Sequence, residues 1–177
     1  MGVFFLFFKR FFSKSEEKEQ NMLSEEVIFN RLIQNEGIKF KPYKCPAGYL
    51  TIGVGRNLEL NPLSESEKEI IKDVMSGITK EQAFMLLRND VCSVCKDLDN
   101  KLPWWRNLDP ERQYVMIDLC FNMGITKLLG FKNTLGYIAQ GNYKQASENL
   151  LKSKYAEQVK GRARRNANCL RSGKYEW

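Results

Sequence analysis

One brief change of hydrophobic period constrains this chain more than anything else in it. "SEEVIFNRLIQNEG", residues 24–37, sets Val27, Ile28, Leu32 and Ile33 at helical spacing behind an N-cap serine and two acids in the first turn. Gly37 marks the stop. After a "PAG" turn, "YLTIGVG" then alternates in the manner of a strand. Beyond about residue 58 the helical period returns and persists. Residues 38–58 therefore predict a small antiparallel sheet inside a mostly helical chain, and the fold class is α+β. The order is one helix, a small sheet lobe, a long connecting helix and a larger helical lobe.

Local signals divide the helical part. Ser64 with Glu67, and Thr79 with Gln82, are capping-box pairs that predict helices over 65–76 and 80–99. Asp109-Pro110 predicts a helix running to about Asn122. Gly124, Gly130, Gly141 and Gly173 punctuate shorter helices, and Asn142 is expected to cap the one carrying Ala146, Leu150 and Leu151. "PWW", residues 103–105, reads as packing between lobes rather than as a sugar platform. With 177 residues, 43% of them hydrophobic, the chain can bury one core, and residues 22–177 are expected to form one domain.

Residues 1–21, "MGVFFLFFKRFFSKSEEKEQN", stand apart. Their apolar run is far short of the roughly 20 residues that a bilayer-spanning helix needs. They also lack the charge order and cleavage site of a secretory signal. Two readings stay open: an extension and linker ahead of the fold, or an interfacial anchor. In the second, the aromatic rings of residues 3–12 enter lipid while Lys9, Arg10 and Lys14 meet anionic headgroups.

Composition removes whole classes of chemistry. There is no histidine, so no Ser-His-Asp or Cys-His arrangement can be built and the commonest zinc ligand is missing. No metal or cofactor is readable. The five cysteines, Cys45, Cys92, Cys95, Cys120 and Cys169, are odd in number and scattered, which suits a reducing compartment rather than a disulfide framework. Cys92 and Cys95 sit in a helical pattern and read as small buried apolar residues. A net charge of +7 favours an anionic partner: nucleic acid, a membrane face or an acidic wall polymer. Residues 152–174 concentrate that charge, with eight Lys or Arg against Glu157 alone.

Candidate chemistry gathers in "EGIKFKPYKCPAGYLTIGVGRN", residues 36–57. A glycosidase needs a carboxylic acid to protonate a leaving oxygen and a second group to handle water or the sugar cation. Glu36 stands where the first helix gives way to the sheet, a junction that can hold a carboxyl at the rim of a cleft. Eight residues separate it from Cys45 and five more lead to Thr51, the start of Thr-Ile-Gly-Val-Gly. That spacing resembles the phage-type lysozymes (glycoside hydrolase family 24), whose signature is Glu, eight residues, Asp or Cys, five residues, Thr, with a Thr-Ile-Gly strand. "CFNMGITKLLGFKNTL", "ASENLLKSKY" and "RARRNANCLRSGKYEW" resemble the later helices of the same family, so the likeness runs from about Met22 to Trp177.

The resemblance implies a two-lobed lysozyme fold and an endolysin. Such an enzyme is a muramidase, made as a monomer in the host cytoplasm and acting on periplasmic peptidoglycan without cofactor. It implies Glu36 as general acid and Thr51 as a holder of the attacking water. Asn57, Phe121, Thr134 and Asn149 fall on positions that line the sugar cleft, and Arg162 on an arginine that approaches the catalytic Glu. Cys45 stands where most members carry Asp. A thiol ordinarily titrates near ~8.5, so it makes a poorer base than a carboxylate unless its pKa is depressed, with Lys44 and Arg56 as candidate cations. Thiolate base, nucleophile and neutral water-positioner all remain open for it, the first and last preferred because the Asp members invert. Two rivals from other classes are a non-catalytic peptidoglycan binder and a basic nucleic-acid binder. The motif favours neither, and no nucleic acid is expected as partner.

Overall fold

The computed structural model describes residues 22–177. The expectations for residues 1–21, including membrane contact through 3–12, lie outside the described residues. Helix α1 spans Glu25–Glu36, strands β1, β2 and β3 span Lys39–Lys44, Leu50–Gly53 and Arg56–Asn57, and α2 spans Glu65–Ile70. Then come α3 (Lys80–Lys101), α4 (Pro110–Met123), α5 (Ile125–Leu129), α6 (Lys132–Ala139), α7 (Tyr143–Leu151), α8 (Lys154–Val159) and α9 (Gly161–Ser172). The three strands form one antiparallel sheet in the order β1-β2-β3. This is the α+β architecture that the single change of period implies.

Helix starts obey the local chemistry. The Ser24 hydroxyl accepts from the Val27 N–H, and both capping boxes close reciprocally, Ser64 with Glu67 and Thr79 with Gln82. Two expectations fail. Residues 65–76 are not one helix: α2 stops at Ile70 and a separate 3-10 turn follows at Val74–Ser76. The cause is Asp73, whose carboxylate accepts from the Met75 and Ser76 N–H groups and so begins a new element. Asn142 stands at the N-cap of α7 without capping it: its side chain accepts no hydrogen bond from the first turn, and its amide donates to Gln140.

Chain contacts divide the described residues into two compact units. The sheet unit holds Ser24–Leu102 with Met116–Lys132, which includes α1, the sheet, α3 and α5. Ile52, Ile71, Ile78, Ala83 and Leu86 form a buried cluster at its heart, and α3 lies against β2 and β3. The helical unit holds Pro103–Val115 with Asn133–Trp177. There α9 packs on α7 and α8, and Ala146, Leu150, Ala163, Ala167 and Leu170 are buried. Trp105 of the "PWW" stretch is fully buried in this unit, so it is packing rather than platform.

Candidate active site

Glu36 is the last residue of α1, and its side chain is held from two directions within the sheet unit. Asn122 Nδ2 of α4 donates to Glu36 Oε1 at 3.3 Å. On the other side lies Gly55, in the turn between β2 and β3. A Cβ at Gly55 would sit 3.1 Å from Glu36 Oε2, and the backbone there has φ of 73°, so both the approach and the turn demand glycine. One residue earlier, Asn35 Nδ2 donates to Oδ1 of the buried Asp118 at 3.0 Å. Asp118 and Asn122 are one helical turn apart on α4, so one face of that helix fixes the end of α1.

Cys45 opens the turn that joins β1 to β2. Its carbonyl accepts from the Gly48 N–H at 2.8 Å, with Pro46 at the second position, where its fixed φ suits such a turn. An Asp at the first position of a turn commonly folds its carboxylate back onto the N–H two residues on. Cys45 uses the same geometry: burial pushes its pKa up, but backbone N–H groups at Ala47 and Tyr49 and the Thr51 hydroxyl outweigh this and lower it. The cations considered from sequence take no part. Register pairs Ile52 with Arg56, which puts Arg56 on the core face of the sheet, away from Thr51, where it binds Glu67 and Asp90. Lys44 is exposed and alternates to the face opposite Cys45. Elsewhere thiols move the other way: burial raises Cys92, and it pushes Cys120 up to about 12.

Thr51 is buried in β2, and its Oγ1 donates to the Tyr49 carbonyl at 3.1 Å. That leaves its lone pairs to accept a hydrogen bond. Asn57 lies across from Thr51 on β3, and its Oδ1 accepts from the Glu59 and Leu60 N–H groups, both at 2.9 Å. Its acceptor is thus committed to the turn that follows, and only its amide donor faces outward chemistry. Phe121 is half-buried on α4 beside Asn122. In the helical unit, Thr134 Oγ1 donates to Asn149 Oδ1 at 2.8 Å, so these two expected cleft residues bind each other. Arg162 is buried on α9 in that unit.

Sequence reading passed over three neighbours of Glu36 and Cys45. Gly55 was visible as the last glycine of Thr-Ile-Gly-Val-Gly, but its contact with a helix-end carboxylate is tertiary. Asn122 had no local signal beyond its place beside Phe121. Tyr43 lies directly across the ladder from Thr51, and its pKa is raised by burial and then by the negative charges of Glu36 and Cys45. Among the described residues no cluster of three or more His, Cys, Asp or Glu is arranged to hold a metal ion. Nor is any described helix long and apolar enough to cross a membrane.

Known proteins resemble this chain in sequence. The phage lysozyme family model matches residues 33–168, from just before Glu36 to beyond Arg162. The "Pre-baseplate central spike protein Gp5" of Enterobacteria phage T4 is 25% identical over 158 residues, which cover 82% of this chain but only 28% of that protein. "Probable T4-type lysozyme 1" of Dictyostelium discoideum is 26% identical over 160 residues, 82% of this chain and 94% of the relative. An "Endolysin" of Acyrthosiphon pisum secondary endosymbiont phage 1 is 35% identical over 120 residues, 66% of this chain and 70% of the relative. The match takes in the acid, the thiol and the threonine together with the helices of both units, and the chain belongs to the phage lysozyme family.

Proposed function

We propose that this lysozyme hydrolyses the β-1,4 bond between N-acetylmuramic acid and N-acetylglucosamine, with Glu36 as acid and Cys45 and Thr51 handling the water. Its glycosidase class and its peptidoglycan substrate follow from the family. In the step itself, Glu36 gives its proton to the glycosidic oxygen as the bond to the anomeric carbon breaks. A water attacks that carbon from the opposite face, and its proton passes to the Cys45 thiolate, inverting the centre. The acid must hold its proton while the base has lost its own, so the thiol's pKa has to come down toward that of a carboxyl. The environment of Cys45, turn N–H groups plus the Thr51 hydroxyl, works in that direction, and this is the observation that carries the reading.

The biological setting is that of an endolysin, host lysis by a monomer, and residues 3–12 are the segment through which it would touch the inner membrane. Removing residues 2–21 is expected to release the protein from the membrane fraction without loss of hydrolysis.

The decisive test digests purified peptidoglycan with wild type, Glu36→Gln, Cys45→Asp and Cys45→Ala, and identifies new reducing ends by mass spectrometry. N-acetylmuramic acid ends are expected from wild type and Cys45→Asp. They should fall about a hundredfold or more in Glu36→Gln, the scale of a lost general acid, and be largely lost in Cys45→Ala. Equal activity of all three proteins carrying Cys, Asp or Ala at position 45 would remove the thiol from the mechanism. No ends from wild type would leave a peptidoglycan binder.

A further inference from the structure

The β1–β2 ladder brings a third polar group to the thiol and the threonine. Tyr43 pairs with Thr51 and Lys44 with Leu50, and the Cys45 N–H donates to the Tyr49 carbonyl at 2.9 Å, continuing the same register by one step. Directly opposed residues share a face and successive residues alternate, so Tyr43, Thr51 and Cys45 point to one side of the sheet and Lys44 to the other. Tyr43 is half-buried, and Lys39 Nζ lies 4.0 Å from the centroid of its ring, a cation–π contact that limits where the ring can turn. Burial, reinforced by Glu36 and Cys45, pushes its ionisation upward. The phenol therefore keeps its proton through the range in which the acid and the thiol exchange theirs.

The attacking water supplies the rest of the argument. Water has two protons and two lone pairs. One lone pair forms the new bond to the anomeric carbon, one proton goes to the Cys45 thiolate, and the second is accepted by Thr51 Oγ1. Thr51 has one proton, which the Tyr49 carbonyl and the Cys45 thiol already draw on, so it does not also donate to that water. The second lone pair of the water is left to accept from another residue on the face that holds Thr51 and Cys45. The threonine, the thiolate and the alternating lysine cannot be that donor. The two side chains paired with Thr51 can: the Asn57 amide on β3 and the Tyr43 phenol on β1. Of these, Tyr43 lies on the strand that leads into Cys45 and feels the charges of both Glu36 and Cys45.

We infer that Tyr43 is this donor: its phenolic O–H holds the attacking water against Thr51 and Cys45. The inference deepens the hydrolytic reading above and rests on it. Tyr43→Phe removes one oxygen and leaves the ring, its burial and its contact with Lys39.

Steady-state kinetics on a soluble peptidoglycan fragment, with a thermal transition and the Kd for an uncleaved oligosaccharide, test it. The expected result is a kcat lower by about ten- to a hundredfold, the scale of one hydrogen bond to a reacting group, with KM, Kd and the transition unchanged. The same loss is expected when Tyr43→Phe is introduced beside Cys45→Asp, since the water is held in the same way. A kcat within about twofold of wild type would overturn the role, as would a loss expressed in KM and Kd with kcat retained, which would make the phenol a sugar contact. Wild type without hydrolysis would instead defeat the muramidase reading and this inference with it. An active wild type matched by Tyr43→Phe would defeat the inference alone.

Discussion

The two faces of the three-stranded sheet treat ionisable side chains in opposite ways, although neighbouring residues supply both. Thr51 and Asn57 face the Glu36 side, while Ile52 and Arg56, each one residue away, face the core. On the core face Arg56 is buried with every arm engaged. Its Nε donates to the Asn61 carbonyl and one terminal nitrogen to the Pro62 carbonyl, and the guanidinium also grips both Glu67 oxygens. Asp90 completes the group at 2.9 Å from Arg56. On the other face Glu36 and Cys45 are half-buried rather than enclosed. Saturating a charge with partners fixes a fold. Leaving it room lets a proton move.

The core face is where the largest effect is expected. Arg56→Ala would leave the buried Glu67 and the half-buried Asp90 without their cation, and should cost about 3–5 kcal/mol in denaturant unfolding. Any protein still folded at low temperature should keep its kcat, because Arg56 makes no contact with the thiol. If kcat fell along with stability, the two faces would not be separable.

Within the same network, pH offers a second test. Burial first, and then Glu67, raise Asp90 to about 6 against its ordinary 3.8, despite Arg56 and Asn61 acting to lower it. The folded protein thus holds this proton more tightly than the unfolded chain, and Asp90 makes wild type lose stability as pH rises from about 4 to about 6. Glu67 is shifted the other way: burial raises it, but Asn89, Ser64 and Arg56 prevail, so its contribution fades as pH falls. Asp90→Asn keeps Glu67 and removes only the first slope. Wild type should fall relative to Asp90→Asn by ~3 kcal/mol at most across that window, read from melts at several pH values. A flat difference would mean that Asp90 is ionised throughout.

The smallest effect on folding, and a sharp one on activity, is expected at Gly55. Alanine there must adopt a left-handed backbone, costing about 1–2 kcal/mol. Its Cβ would press on the Glu36 carboxylate at 3.1 Å. We expect a modest drop in melting temperature and a disproportionate loss of kcat, measured side by side. A loss of activity no larger than the loss of stability explains would remove Gly55 as the back wall of the acid.

The sequence alone determined the elements and the motif. Hydrophobic period placed α1, the short sheet and the long α3, because burial of one face leaves its repeat in the chain. Capping boxes at Ser64 and Thr79 fixed two helix starts through contacts only three residues long. The spacing of Glu36, Cys45 and Thr51 was readable because a helix end, a turn and a strand follow one another directly. What lay beyond reach depended mostly on groups distant in sequence, and in two places on local hydrogen bonds that hydrophobic period does not register. Asp73 ended a helix through local competition that the apolar pattern concealed. Arg56 looked like a cation available to the thiol until register put it on the other face. Only tertiary structure paired Asn122 with Glu36, and Thr134 with Asn149. It also gave Cys45 a lowered pKa from turn N–H groups rather than from any lysine or arginine. A one-residue alternation decides which side of a sheet a charge occupies, and strand pairing sets that alternation, not composition.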